Sequence, residues 1–347
     1  MTARPPQLAT PVPERVPAPE SLKVPETGSI VLPRLRTGTE NRTEPSPIAK
    51  CAPPGCRLPA RPQLPSRPGS GVMPVKLQSL IPARGSMPVI APSMAAFAAT
   101  VPAKVQSSLA AGKPILAALE GEGARVTRVA GDYDRAVREA AAAARAEGSV
   151  LVQDTAWEGY EEVPARIVEG YSTLFAEVDG QLADAGAGAP DLVAVPVGVG
   201  SLAQAAVTHY RSRGVHGGPA LLAVEPTEAA PALASLTRGE SVTVAAGETV
   251  MAGLNCGTLS GLAWPVLRDG LDAAVTVPDA EALAAVRDLA ALGVSSGPCG
   301  AAALAGARAA LTGAGAGGRR AELGLGAGAT VVLLSTEGRE ANPHGAE

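Results

Sequence analysis

The sequence is short of most residue types on which other protein classes depend. Only 2% of its 347 residues are aromatic, histidine occurs three times and cysteine four times. Cys51, Cys56, Cys256 and Cys299 have no metal-type spacing and are too few for a disulfide framework. Cys51 and Cys56 flank Pro-Pro-Gly like half of a zinc knuckle, but no matching Cys or His pair follows, so no metal is expected. This cysteine usage fits a reducing, cytoplasmic setting. The net charge is only −4, with no long run of one sign, so neither nucleic acid nor a membrane surface is an expected partner. No apolar run reaches the roughly 18 residues of a membrane span, and the first residues lack the apolar core of a signal peptide.

Proline and apolar residues are plentiful but unevenly spread. Residues 1–112 hold about two-thirds of the 32 prolines, and their single aromatic residue is Phe97. Proline at this density breaks helices and central strands, so the segment cannot offset its ordering entropy by burial. It is expected to be disordered, with a helix within Ser93 to Ala111. A coding region read out of frame would give the same texture. Residues 113–150 then form a remnant of a small α/β domain, and 151–340 a large one.

From Pro114 strand and helix patterns alternate. Ala124 to Ala130 reads as a strand, Asp132 to Glu147 as an Ala-rich helix, Ser149 to Gln153 as a second strand, and Val163 to Asp184 as a helix. Strand Ala220 to Glu225, a short strand Ser241 to Ala245, helices Asp279 to Leu292 and Ala301 to Leu311, a loop Gly313 to Gly318, and a last strand Thr330 to Ser335 complete the series. Such alternation predicts an α/β fold with a parallel sheet.

The clearest local signal is Asp191-Leu-Val-Ala-Val-Pro-Val-Gly-Val-Gly-Ser-Leu-Ala203. A β-branched run is followed by Gly198 and Gly200, and Ser201 then opens a helix. Free amides at a helix N-terminus, with the positive end of its dipole, make an anion cradle suited to phosphate. A glycine turn with nothing bound fits the same residues.

Five segments together carry a family resemblance: Val152-Gln-Asp-Thr-Ala-Trp-Glu-Gly-Tyr160, Pro196-Val-Gly-Val-Gly-Ser-Leu-Ala203, Val224-Glu-Pro226, Met251-Ala-Gly-Leu-Asn-Cys-Gly257 and Ser335-Thr-Glu-Gly338. From about Pro114 to Gly338 the chain resembles diaminopropionate ammonia-lyase, one of the fold-type-II pyridoxal-phosphate enzymes. The resemblance implies a parallel sheet with helices on both faces and pyridoxal 5'-phosphate as cofactor. It places the cofactor phosphate on Gly198, Val199, Gly200, Ser201 and Leu202, and the pyridine nitrogen on Thr336 or Ser335. It gives Asp154 the removal of the α-proton or the binding of the substrate's second amine. The implied reaction eliminates the β-amino group of 2,3-diaminopropionate, a small amino-acid substrate, to give pyruvate and ammonia, and a homodimer follows by family analogy.

Two family features are missing. Members carry a Schiff-base lysine after phenylalanine, then Asp-Gly-Asn-His-Gly. Here the lysines are Lys23, Lys50, Lys76, Lys104 and Lys113, none follows Phe, and no lysine occurs after residue 113. The small domain is therefore expected to be incomplete. A relative that keeps the fold without the lysine is the alternative reading.

Overall fold

The computed structural model describes residues 30–31, 104–108, 113–121, 123–147, 150–212 and 218–342. In chain order the elements begin with β1 Ile30–Val31, β2 Lys104–Ser108, α1 Lys113–Gly121, β3 Arg125–Val129 and α2 Tyr133–Glu147. There follow α3 Glu162–Gly170, α4 Ser172–Asp184, β4 Leu192–Pro196, α5 Ser201–Arg211, β5 Ala220–Pro226 and α6 Pro231–Arg238. The remainder are α7 Ala263–Gly270, β6 Ala273–Val277, α8 Asp279–Ala291, α9 Pro298–Leu311, α10 Ala316–Glu322 and β7 Val331–Leu333.

Five strands form one sheet in the order β1-β6-β5-β4-β7. The β6–β5, β5–β4 and β4–β7 pairs are parallel, while β1 lies antiparallel on β6. Alternate residues of each strand face opposite sides. Val193, Val195, Leu221, Ala223 and Ala274 pack with Phe175 of α4, Ala206 of α5, Leu233 of α6 and Leu267 of α7. Leu192, Ala194, Leu222, Val224 and Val275 pack on the other side with Val286 of α8 and Ala302 of α9. Both faces are thus covered by helices, which is why these strands read as continuous apolar runs rather than alternating ones.

The abundant alanine and glycine have a packing reason. In α9 ten residues are buried, nearly all of them Ala or Gly. A Cβ at Gly306 would come within 2.4 Å of the Val224 side chain, so α9 lies against β5 at a distance only glycine permits. The second sheet pairs β2 with β3 in parallel, from Lys104 opposite Arg125 to Ser108 opposite Val129.

Several sequence expectations need correction. Val150 to Gln153 form no strand. Val150 is 82% exposed, and the polar groups of this segment are taken by a side chain, Tyr160 Oη, which accepts from Gln153 N and donates to Leu151 O. Ser241 to Ala245 form no strand either, because Val242 N donates to Ser235 Oγ and Val244 N to Gly257 O. The helix expected through Val163 to Asp184 is two helices meeting at Tyr171. The loop expected at Gly313 to Gly318 runs into α10. Within Ser93 to Ala111 the described residues are strand β2, not helix, and β1 also falls in the segment expected to be disordered. The rest of that expectation lies outside the described residues.

Candidate active site

The site gathers where β4 ends. Beyond Pro196 the chain passes Gly198 and Gly200 and enters α5. Gly200 has φ +94°, and a Cβ there would stand 3.0 Å from Leu267 and 3.1 Å from Ala263. A Cβ at Gly198 would stand 3.2 Å from both Cys256 Sγ and Gly253 O. Both glycines are therefore demanded by close approach to α7 and to the 251–257 loop, and Gly200 also by its left-handed backbone.

Ser201, Leu202 and Ala203 lie in the first turn of α5, where N–H groups have no partner four residues back. Among the described residues no acceptor faces these three amides. Val199 is otherwise engaged, since its carbonyl accepts from Ser260 N and its N–H is directed at the Cys256 sulfur. Leu202 turns its side chain to the core and leaves its amide at the helix end.

Asp154 is fastened to this cradle. Ser201 Oγ donates to Asp154 O at 3.0 Å, and the same hydroxyl supports the Asp154 carboxylate. The loop is braced from within by Gln153, whose amide accepts from Thr155 N and donates to Thr155 O. Ala156 N donates to the buried Ser260 Oγ, and Gly261 N to Ala156 O. Burial raises the Asp154 carboxyl above the usual carboxylate range, and hydrogen bonds from its own backbone, Tyr133 and Ser201 oppose that rise.

Around Asp154 stand three of the chain's four tyrosines. Tyr133 Oη lies 3.4 Å from both Asp154 Oδ1 and Thr155 Oγ1. Burial and then the Asp154 charge push its phenol well up. The same two causes raise Tyr171, while Tyr160 is pushed up to about 12 chiefly by burial. Trp157 stacks on Tyr160 with ring centroids 4.6 Å apart.

Ser335 and Thr336 follow β7, the parallel neighbour of β4, so both sit at the same edge of the sheet as the cradle. Ser335 Oγ pairs with Ser296 Oγ at 2.9 Å. A Cβ at Gly300 would lie 2.6 Å from Ser296 Oγ and 2.7 Å from Ser335 Oγ, so this glycine makes room for the hydroxyl pair. Thr336 is half-buried beside it.

Glu225 lies elsewhere in function. Fully buried at the end of β5, it accepts from Ala232 N and Leu233 N at 2.7 and 2.8 Å and so caps α6. Burial pushes it up to about 8 despite those two bonds. Cys256 and Cys299 are buried, and burial raises both thiols well above their ordinary value, which makes them poor nucleophiles. His209 pairs with Asp179 at 2.8 Å across α5 and α4. Among the described residues no group of metal-ligating side chains assembles, and no helix is long and apolar enough to cross a membrane.

Sequence reasoning missed Tyr133, Ser260 and Ser296. Only Tyr133 carried a usable signal, as one of the few aromatic residues, placed at the start of a helix.

The family profile of the pyridoxal-phosphate dependent enzymes matches residues 90–336. The chain belongs to that family. Its cofactor is pyridoxal phosphate. It is 36% identical over 168 residues to diaminopropionate ammonia-lyase of Salmonella typhimurium, covering 48% of this chain and 42% of that protein. The Escherichia coli enzyme of the same name is 34% identical over 163 residues, 46% of this chain and 40% of the relative. The chain thus spans less than half the length of these curated relatives. The crystal structure of the Escherichia coli enzyme with an aminoacrylate-PLP azomethine intermediate superposes with a TM-score of 0.64 at 28% identity. That match covers 71% of this chain and 64% of that one.

The residues fit the cofactor at two ends and leave a third point open. Unpartnered amides at a helix N-terminus suit the phosphate, and a neutral hydroxyl pair at the neighbouring strand end suits an unprotonated ring nitrogen. Residues 114–347 contain no lysine. Lys104 lies on β2 and Lys113 begins α1, while Lys23, Lys50 and Lys76 lie outside the described residues.

Proposed function

We propose that this chain holds pyridoxal phosphate at the N-terminus of α5 and acts as an ammonia-lyase. Its substrate would be 2,3-diaminopropionate or a similarly small β-substituted amino acid, and its products pyruvate and ammonia. The observation that carries this reading is the bond from Ser201 Oγ to the main-chain carbonyl of Asp154, which fastens the loop bearing this half-buried carboxyl to the phosphate cradle. The names of the curated relatives support the substrate class.

When bound, the cofactor supplies an electron sink for the substrate's α-carbon. Ser201, Leu202 and Ala203 hold its phosphate through their amides. Ser335, with Thr336 beside it, offers a hydroxyl rather than a carboxylate to the ring nitrogen, which suits elimination. Asp154 takes the α-proton or binds the second amine. Its raised proton affinity brings it nearer to the working pH, as general acid–base chemistry requires. Trp157 stacks on Tyr160 along the same loop.

The absence of lysine beyond residue 113 favours one other reading, a relative that binds the cofactor without forming a covalent bond to it. Incubation with pyridoxal phosphate, borohydride reduction and peptide mass spectrometry separates the two. One stoichiometrically labelled lysine supports the lyase. No labelled lysine, in a folded protein that still binds the cofactor, supports the non-covalent relative.

A further inference from the structure

The first turn of α2 reaches the site at two places. Asp132 caps the helix by accepting from Arg135 N at 2.9 Å, which fixes the orientation of the two residues after it. Asp134 Oδ2 then accepts from Thr258 Oγ1 at 2.8 Å, just beyond the 251–257 loop. Tyr133 points to Asp154 instead, with its hydroxyl 3.4 Å from Oδ1 and equally far from Thr155 Oγ1. A bulky phenol thus enters from an element outside the main sheet, and its hydroxyl meets the Asp154 carboxyl.

We propose that Tyr133 is a positioning residue for Asp154, orienting its carboxyl by donating the phenolic proton to Oδ1. The proposal rests on Asp154 being the acid–base group of the site. A phenol donates to an ionised carboxylate better than to a neutral acid, so it also favours the charged form and opposes the effect of burial. The other groups that share the Asp154 field are Tyr160, at the loop turn, Tyr171, between α3 and α4, and the Cys256 thiol. Ser201, on α5, adds the remaining side-chain hydrogen bond. Tyr160 is already committed to the backbone of Leu151 and Gln153, which leaves Tyr133 as the phenol bonded to the carboxyl.

The test is a direct titration of Asp154 by carboxyl NMR on the full chain labelled at aspartate, with Asp154→Asn assigning the signal. Tyr133→Phe keeps the ring and the Asp134–Thr258 anchor and removes only the hydroxyl. Its loss should move the Asp154 midpoint up by roughly half to one pH unit. An unchanged midpoint in folded Tyr133→Phe overturns the proposal. Thr258→Val loosens the α2 anchor without touching the phenol. It should move the midpoint less, and an equal movement overturns the proposal in favour of simple docking. The acid–base reading of Asp154 fails separately, if Asp154→Asn leaves turnover by the cofactor-loaded protein intact while Tyr133→Phe still shifts the titration.

Discussion

Ser201 Oγ donates to the carbonyl of Asp154 at 3.0 Å, joining residues 47 apart in sequence. The hydroxyl that the sequence suggests for a phosphate is therefore engaged with the loop bearing Asp154, which leaves the proposed phosphate contacts to the amides of the turn. Ser201→Ala should leave the Asp154 carbonyl without its donor and cost about 1–3 kcal/mol of stability. Thermal denaturation checks the stability, and cofactor fluorescence titration should show weakened but not abolished binding.

Gly300→Ala should be more damaging to the ring end of the site. The added methyl would meet Ser296 Oγ and Ser335 Oγ well inside contact distance, with Glu337 O 3.0 Å away. The hydroxyl pair must separate, so affinity for pyridoxal phosphate should fall at least tenfold, roughly 1.4 kcal/mol. Equilibrium dialysis against the cofactor measures it, with inorganic phosphate as the competitor that reads the cradle alone.

Glu225 makes stability depend on pH in an unusual direction for a carboxyl. Its folded value, about 8, lies above its unfolded one, so the native state binds the extra proton. That contribution is fully present below the unfolded value of ~4.3 and is lost as pH rises through about 8. The wild-type chain should therefore lose stability relative to Glu225→Gln between pH 5 and pH 8.5, by on the order of a few kcal/mol. Denaturant titrations across that range decide it, and parallel curves for the two proteins would remove Glu225 as the cause.

Asp154→Asn should ease the ionisation of the neighbouring phenols. The carboxylate charge raises Tyr133, Tyr160 and Tyr171 alike, although burial is the larger cause in each. Spectrophotometric titration of phenolate should show the transition moved to lower pH, and an unmoved transition would remove the Asp154 charge as a cause.

The sheet strands β4 and β5 were legible because strands buried on both faces must be apolar throughout. Leu192 to Val197 and Ala220 to Glu225 could hardly be read otherwise. Strand β6 and helix α7 went unread, since Ala273-Ala-Val-Thr-Val277 is short and its alanines favour neither period. Val150 to Gln153 misled for a physical reason: a short apolar run normally pairs with another strand, yet here the Tyr160 hydroxyl takes Leu151 O and Gln153 N. Asp154, the glycine turn and Ser335 were singled out through motif resemblance; the turn and Ser335 come to one end of the sheet through the parallel β4–β7 pair, and Asp154 joins the turn through Ser201. Tyr133 and Ser260 were not found because their roles depend on long-range contacts, Ser260 Oγ reaching a residue 104 positions away.

The β4–β7 pair also dictates an order of assembly. Asp191 accepts from Thr330 N across 139 positions of chain, so β4 keeps a bare edge during synthesis until residues 330–335 have emerged. The residues that pair and pack with β4 on its other side, in β5, α5 and α7, precede residues 330–335 by many positions, whereas Ser335, the partner of Ser296, comes late in the chain. Through that interval the uncovered edge of β4 is the surface a chaperone would guard.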